Sequence, residues 1–217
     1  MKQFIFSVLL IAVISGTTSA QNIRLNAYSA YTFDNQVNSH YSSSNYYDAT
    51  VQGGYQWGGG IEYMLSPTRS VELSYLRQFT TAPMVYFYND ERKRDFHLGL
   101  NYILLGGNNY FKMANKKLEP YVGAAIGVAI INVNNPIPNG NSTLTKFAFK
   151  LKAGTNYWLT KRLGLKLEAS LVSAVKGVSN GFYVKNDVEG INLSSSKTML
   201  QFGLGGGLTY RMGKIVK

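Results

Sequence analysis

From about residue 23 onward, hydrophobic and polar residues alternate with a period of two, the pattern of strands whose two faces meet different surroundings. Eight such segments can be traced. The clearest place Tyr55, Trp57, Gly59, Ile61 and Tyr63 on one face; Phe96, Leu98, Leu100, Tyr102 and Leu104 on one face; and Leu163, Leu165, Leu167, Ala169 and Leu171 on one face. The other five run through Ile23, Leu25 and Ala27; Val71, Leu73 and Tyr75; Val122, Ala124, Ile126, Val128 and Ile130; Phe147, Phe149, Leu151 and Ala153; and Leu200, Phe202, Leu204, Leu208 and Tyr210. Each is close to the roughly 9–11 residues that a tilted strand needs to cross a bilayer. Helical spacing is absent throughout.

The connections alternate in length. Short links fall near Ser66-Pro67-Thr68-Arg69 and Thr160-Lys161-Arg162, and long ones near 34–51, 80–94, 132–143 and 172–197. Short turns on one side and long loops on the other are the habit of outer-membrane barrels. The link near 105–117 is longer than such a turn usually is, and Gly106-Gly107-Asn108-Asn109 accounts for it only in part. The prediction is an all-β fold: an eight-stranded antiparallel up-and-down transmembrane β-barrel forming one domain over residues 21–217.

The first twenty residues read differently. Lys2, the apolar run Phe4 to Ile14 and then Ser15-Gly16-Thr17-Thr18-Ser19-Ala20 follow the order of a cleaved secretory signal peptide, 1–20. That run is too short to span as a helix, and no later segment is continuously apolar for the roughly 20 residues a spanning helix requires. An exported chain could use disulfides, yet there are no cysteines. Stability must then come from backbone pairing and packing.

Alternation alone does not separate a membrane barrel from a soluble one, because both pair an apolar face with a polar face and differ only in which points outward. Here the polar face is crowded with small residues: Gly58, Gly60, Gly99, Gly123, Ala125, Gly127, Gly154, Gly164, Gly203, Gly205 and Gly207. Water-facing strands would carry larger polar side chains, whereas a narrow lumen needs small ones. The same face carries Glu62, Glu72 and Glu168 with Lys150, Lys152, Lys166 and Arg211. These are expected to form a lumen ion network, since unpaired charges would be costly to bury. On the opposite face Tyr55, Trp57, Tyr63, Tyr75, Tyr102, Phe202 and Tyr210 fall near strand ends, where an outward aromatic girdle belongs. Arg77 interrupts that face, but near a rim a lipid-facing cation costs about 0–1 kcal/mol rather than the roughly 2–4 of the midplane.

Net charge is +11, and +10 once Lys2 is removed, with much of the excess in turns and loops such as Arg92-Lys93-Arg94, Lys116-Lys117 and Lys161-Arg162. A basic balance is often read as nucleic-acid binding. The export signal argues against that and points to phosphate-bearing outer-leaflet lipid, including lipopolysaccharide, as the anionic neighbour. No cofactor or metal is expected, because the two histidines and the lack of cysteine offer no ligand spacing. His97, alternating with Phe96 and Leu98, is expected to face the lumen as a hydrogen-bonded structural residue. His40-Tyr41-Ser42 has the His-x-Ser order of lipid A deacylases, although it sits in the first long loop and reads more simply as polar loop sequence. The aromatics Tyr46-Tyr47 and Met84-Val85-Tyr86-Phe87-Tyr88 suit either a partner-binding surface or, for the second stretch, a hairpin extended above the membrane.

At Glu119-Pro120-Tyr121-Val122-Gly123-Ala124-Ala125-Ile126-Gly127, and again at Gly203-Leu204-Gly205-Gly206-Gly207-Leu208-Thr209-Tyr210-Arg211, the chain resembles the small outer-membrane β-barrel superfamily of OmpA, OmpX and OmpW-like proteins in the porin family. The resemblance covers essentially residues 21–217 and implies location in the outer membrane of a Gram-negative bacterium and delivery by the outer-membrane assembly machinery. Such proteins commonly finish on an aromatic residue, whereas this chain continues past Tyr210 to Lys217. No peptidoglycan-binding domain is expected after the barrel, so the cell-wall tethering of OmpA is not carried over. The expectation is a non-enzymatic protein with a structural or surface-interaction role through long extracellular loops, with a lipid A-modifying hydrolase or a narrow channel for ions or small solutes as alternatives.

Overall fold

The computed structural model describes residues 22–42, 45–88, 90–134, 142–175 and 199–212. Among them are ten strands: β1 (Ile23–Thr32), β2 (Asn35–Ser42), β3 (Asn45–Val51), β4 (Gly54–Ser66), β5 (Arg69–Tyr88), β6 (Asp90–Tyr110), β7 (Leu118–Asn134), β8 (Ser142–Trp158), β9 (Leu163–Val175) and β10 (Met199–Arg211). Eight of them close into an antiparallel barrel in which β4 to β10 follow in order and β1 joins the two ends, pairing with β4 and β10. The closing seam runs from Arg24 opposite Arg211 to Thr32 opposite Gly203. Closure leaves the spanning strands without an open edge. The expected signal peptide over 1–20 lies outside the described residues.

Ile23, Arg211 and three turns lie at one end, which the short-turn rule makes periplasmic. The turns are Pro67–Thr68, 111–117 and 159–162. The long 111–117 link is anchored by backbone hydrogen bonds at both ends, with Phe111 N–H donating to Pro120 O at 2.8 Å, Tyr110 N–H to Thr68 O at 2.7 Å and Leu118 N–H to Asn115 O at 3.0 Å.

At the other end the chain continues as sheet. β5 and β6 are 20 and 21 residues long and stay paired out to Tyr88 opposite Asp90. β2 and β3 form a second hairpin, and β3 pairs with the extension of β5 through Tyr47–Tyr86, Asp48–Val85 and Ala49–Met84. Two of the long connections read from the sequence, near 34–51 and 80–94, are therefore strands standing beyond the rim. The side chains of His40, Ser42, Tyr46, Tyr47 and 84–88 lie outside the described residues.

The outer wall is apolar. Ile61, Leu105, Ile126 and Leu167 are each more than half exposed, while lumen-facing side chains of every barrel strand are buried. A continuous exposed apolar surface of this kind belongs against hydrocarbon. Tyr55, Trp57, Tyr63, Tyr75, Phe202 and Tyr210 lie on this wall, all exposed.

β6 departs from the sequence expectation, and Tyr102 is not part of the outward girdle. Leu98, Leu100, Tyr102 and Leu104 are buried in the lumen; His97, Gly99, Ile103 and Leu105 are on the outer wall. The alternation of β6 is clear but its larger apolar side chains line the lumen, while the outer wall carries His97, Gly99 and Asn101 beside Ile103 and Leu105, so periodicity alone points the strand the wrong way. Register chooses instead: Leu104 lies opposite the lumen-facing Ser74 and Gly127, and a slip of one residue would invert the whole strand. His97 accordingly faces outward rather than into the lumen, and Gly99 is not one of the lumen glycines.

Candidate functional site: the barrel lumen

Alternation along β1, β4, β5, β7, β8, β9 and β10 aims short polar and charged side chains at the barrel axis, where a narrow circumference brings distant strands together. In the periplasmic half they form three clusters, each built around glutamate. Nearest the mouth, Glu119 accepts two hydrogen bonds from the Arg24 guanidinium, at 2.9 and 3.0 Å, in the bidentate geometry that suits arginine. It also accepts from Asn156 Nδ2 at 3.0 Å, Trp158 Nε1 at 3.3 Å and Arg211 Nη2 at 3.3 Å. Arg211 stacks 3.4 Å above the Trp158 ring, and Arg24 lies 4.8 Å from the centroid of Tyr110. These cations and rings fill the mouth.

Deeper in, Glu62 and Glu72 lie directly opposite each other on β4 and β5. Like charges in that register repel. Two amides stand between them: Asn26 Nδ2 donates to Glu62 at 3.1 Å and Glu72 at 2.8 Å, and Asn108 Nδ2 donates to the same pair at 2.9 and 3.2 Å. Lys152 Nζ reaches Glu72 at 2.5 Å, the Tyr28 hydroxyl donates to Glu72, and the Ser70 and Tyr110 hydroxyls donate to Glu62. The third cluster joins Glu168 to Lys150 Nζ at 2.6 Å and the Tyr121 hydroxyl at 2.7 Å. Lys166 Nζ has no hydrogen-bond partner among the described residues and lies 4.4 Å from the centroid of Tyr121, where the ring face supplies the attraction.

Two lumen glycines make this packing possible. A Cβ on Gly60 would stand 2.6 Å from Glu72 Oε1, and one on Gly154 would stand 2.8 Å from the Tyr121 hydroxyl oxygen. Each glycine leaves the space that a neighbouring polar side chain occupies.

The structure thus brings Glu62, Glu72 and Lys152 into one group, with Lys166 near it, and Glu168 and Lys150 into another. Arg211 joins the Glu119 cluster at the mouth instead, its side chain about a third exposed. Sequence reading passed over Glu119 and Arg24, which center the cluster at the mouth. The signal was present: Arg24 alternates with Ile23 and Leu25, and Glu119 is in phase with Tyr121 across Pro120.

The extracellular half is filled differently. Leu76, Leu98, Leu100, Tyr102, Leu104, Ala129, Ile131, Ala148 and Val172 form an apolar cluster on one side of the lumen. Thr32, Gln56, Gln78 and Gln201 are buried polar residues of the same half, with Gln78 Nε2 donating to Thr32 Oγ1 at 2.8 Å. Among the described residues, side chains of both kinds are packed inside the barrel. Every lumen carboxylate among the described residues is engaged, and no group of three metal-ligating side chains occurs among them.

No protein-family model matches the chain, and no curated protein matches it. Solved structures do. Neisserial surface protein A superposes with a TM-score of 0.59 at 14% identity, covering 87% of this chain and 96% of that one. The outer membrane protein OprG from Pseudomonas aeruginosa superposes with a TM-score of 0.53 at 15% identity, covering 90% and 98%. At such identities the likeness is one of fold. The closed eight-stranded wall and its apolar exterior agree with that likeness: the chain has the fold of a small outer-membrane β-barrel.

Proposed function

We propose that the protein is a non-enzymatic surface-interaction protein that holds a rigid sheet above the outer leaflet. The observation that supports this reading is the length of β5 and β6. Crossing takes about 9–11 residues, so roughly half of each strand stands outside the membrane, and the β2–β3 hairpin docks onto that extension. Four strands in a row, β2-β3-β5-β6, make a broader and stiffer platform than separate loops would. The hydrogen-bonded and ion-paired lumen gives such a platform a firm base.

Removing residues 84–94 closes the hairpin at the Pro83–Asp95 pair and takes away the part of β5 that β3 joins. Cells displaying the full chain are expected to adhere to one another or to host-cell monolayers more strongly than cells displaying this shortened form at equal surface level. Equal adhesion would overturn the reading. Stepwise conductance from the purified full chain in planar bilayers would replace it with a channel.

A further inference from the structure

We infer that Arg77, flanked by Trp57 and Phe79 on the outer wall, is a docking point for the phosphate of an outer-leaflet lipid. The inference rests on the membrane placement of the barrel and is independent of the proposed surface interaction.

Among the described residues, Arg77 is the one charged side chain on the lipid-facing wall away from the periplasmic rim, where Arg69 lies. It stands eight residues above Arg69 on β5. With a rise of about 3.3 Å per residue and a tilt of about 40°, that is roughly 20 Å up an apolar band of about 25 Å. Its guanidinium carbon lies 4.6 Å from the centroid of Phe79, two residues nearer the extracellular end. The side chain therefore reaches toward the outer interface, as a long cationic side chain in a membrane does.

The neighbouring groups do not satisfy it. Asn101 lies opposite Arg77, but its Oδ1 already accepts from the Tyr75 hydroxyl at 2.8 Å and its Nδ2 donates to Ile130 O at 3.4 Å. Arg77 Nε is buried with no hydrogen-bond partner among the described residues. Trp57, opposite on β4, and Phe79 are apolar, exposed and aromatic. A ligand here must offer an anionic acceptor matching the planar guanidinium fork, and hydrocarbon to lie against the two rings. A phosphate carried on acyl chains offers both. A free anion offers only the first, and would have to leave water for a wall facing hydrocarbon.

The test uses the purified full chain in neutral detergent, with diphosphorylated lipid A as the probe and bound lipid counted by native mass spectrometry. R77Q is expected to bind about tenfold more weakly, the scale of losing a charge-assisted hydrogen bond. R77K, which keeps the charge without the fork, should fall between R77Q and the original. R69Q should bind as the original does, and dephosphorylated lipid A should bind the original no better than the phosphorylated form binds R77Q. Heat-modifiable gel migration establishes that each variant is folded; should R77Q fail that check, R77K carries the comparison. Undiminished binding to R77Q and R77K would overturn the inference. Equal loss in R69Q, or displacement of the lipid by inorganic phosphate at matching concentration, would do so as well.

Discussion

The two halves of the lumen solve the same packing problem with opposite chemistry. The periplasmic half holds five cations and four carboxylates: Arg24, Lys150, Lys152, Lys166 and Arg211 against Glu62, Glu72, Glu119 and Glu168. The extracellular half packs leucines, a tyrosine and small aliphatic residues along one side, with the uncharged polar side chains of Thr32, Gln56, Gln78 and Gln201 beside them. In the charged half each contact is directional, so a side chain can serve only where its partners converge, and losing one partner strands the others. In the apolar half contacts are non-directional, and a loss costs mainly the area and space of the missing group. The difference suggests that the charged half fixes strand register while the apolar half mainly fills volume.

Glu72→Ala should break the comparison most sharply. It strips an acceptor from Asn26, Asn108, Tyr28 and Lys152 together. The expected loss of stability is about 3–5 kcal/mol if the site is dry and less if lumen water screens it. Urea unfolding in micelles measures it. The double change Glu72→Ala with Lys152→Met should recover part of the loss, since the stranded ammonium is then gone. A double variant no more stable than the single one would mean that Lys152 is not stranded by the first change.

Leu100→Ala in the other half should cost less, about 2–3 kcal/mol, toward the low end for a buried leucine. The amides Gln56 and Gln201 belong to the same half of the lumen and can admit water into the space left behind. The same unfolding titration checks it. A cost larger than that of Glu72→Ala would reverse the ranking of the two halves.

This contrast also explains what could be read from the sequence. Strand positions and the eight-stranded closure were legible because seven strands have one apolar and one small or polar face. Glu62, for instance, sits between Ile61 and Tyr63, so its phase is unambiguous. β6 was not legible in that way. It serves the apolar half of the lumen on one face and lipid on the other, so Tyr102 and Ile103 carry the same hydrophobic signal while pointing in opposite directions. Only pairing with β5 and β7 distinguishes them. The Arg24–Glu119 pair, 95 positions apart, depends on closure of the barrel and is invisible to local pattern. The sheet beyond the rim was partly legible at Met84 to Tyr88, where alternation continues, and not at β2 and β3, whose polar faces carry no contrast.

The finest test sets two tyrosines against each other. Tyr121 and Tyr102 are both fully buried lumen residues, on β7 and β6 respectively. The Tyr121 hydroxyl donates to Glu168, whose other oxygen holds Lys150. Tyr121→Phe removes a donor from a buried carboxylate and should lower stability by about 1–3 kcal/mol. The Tyr102 hydroxyl is buried with no partner among the described residues. Its removal deletes a polar group that folding takes out of water without compensation, so Tyr102→Phe should fall between no change and a gain of about 1 kcal/mol. The same atom is deleted in both, and the packing area is nearly unchanged, so the sign of the difference reports only which half of the lumen surrounds the hydroxyl. Equal losses in the two variants would mean that Tyr102 has a polar partner, and that the leucine cluster around it is not the apolar surrounding it is taken for.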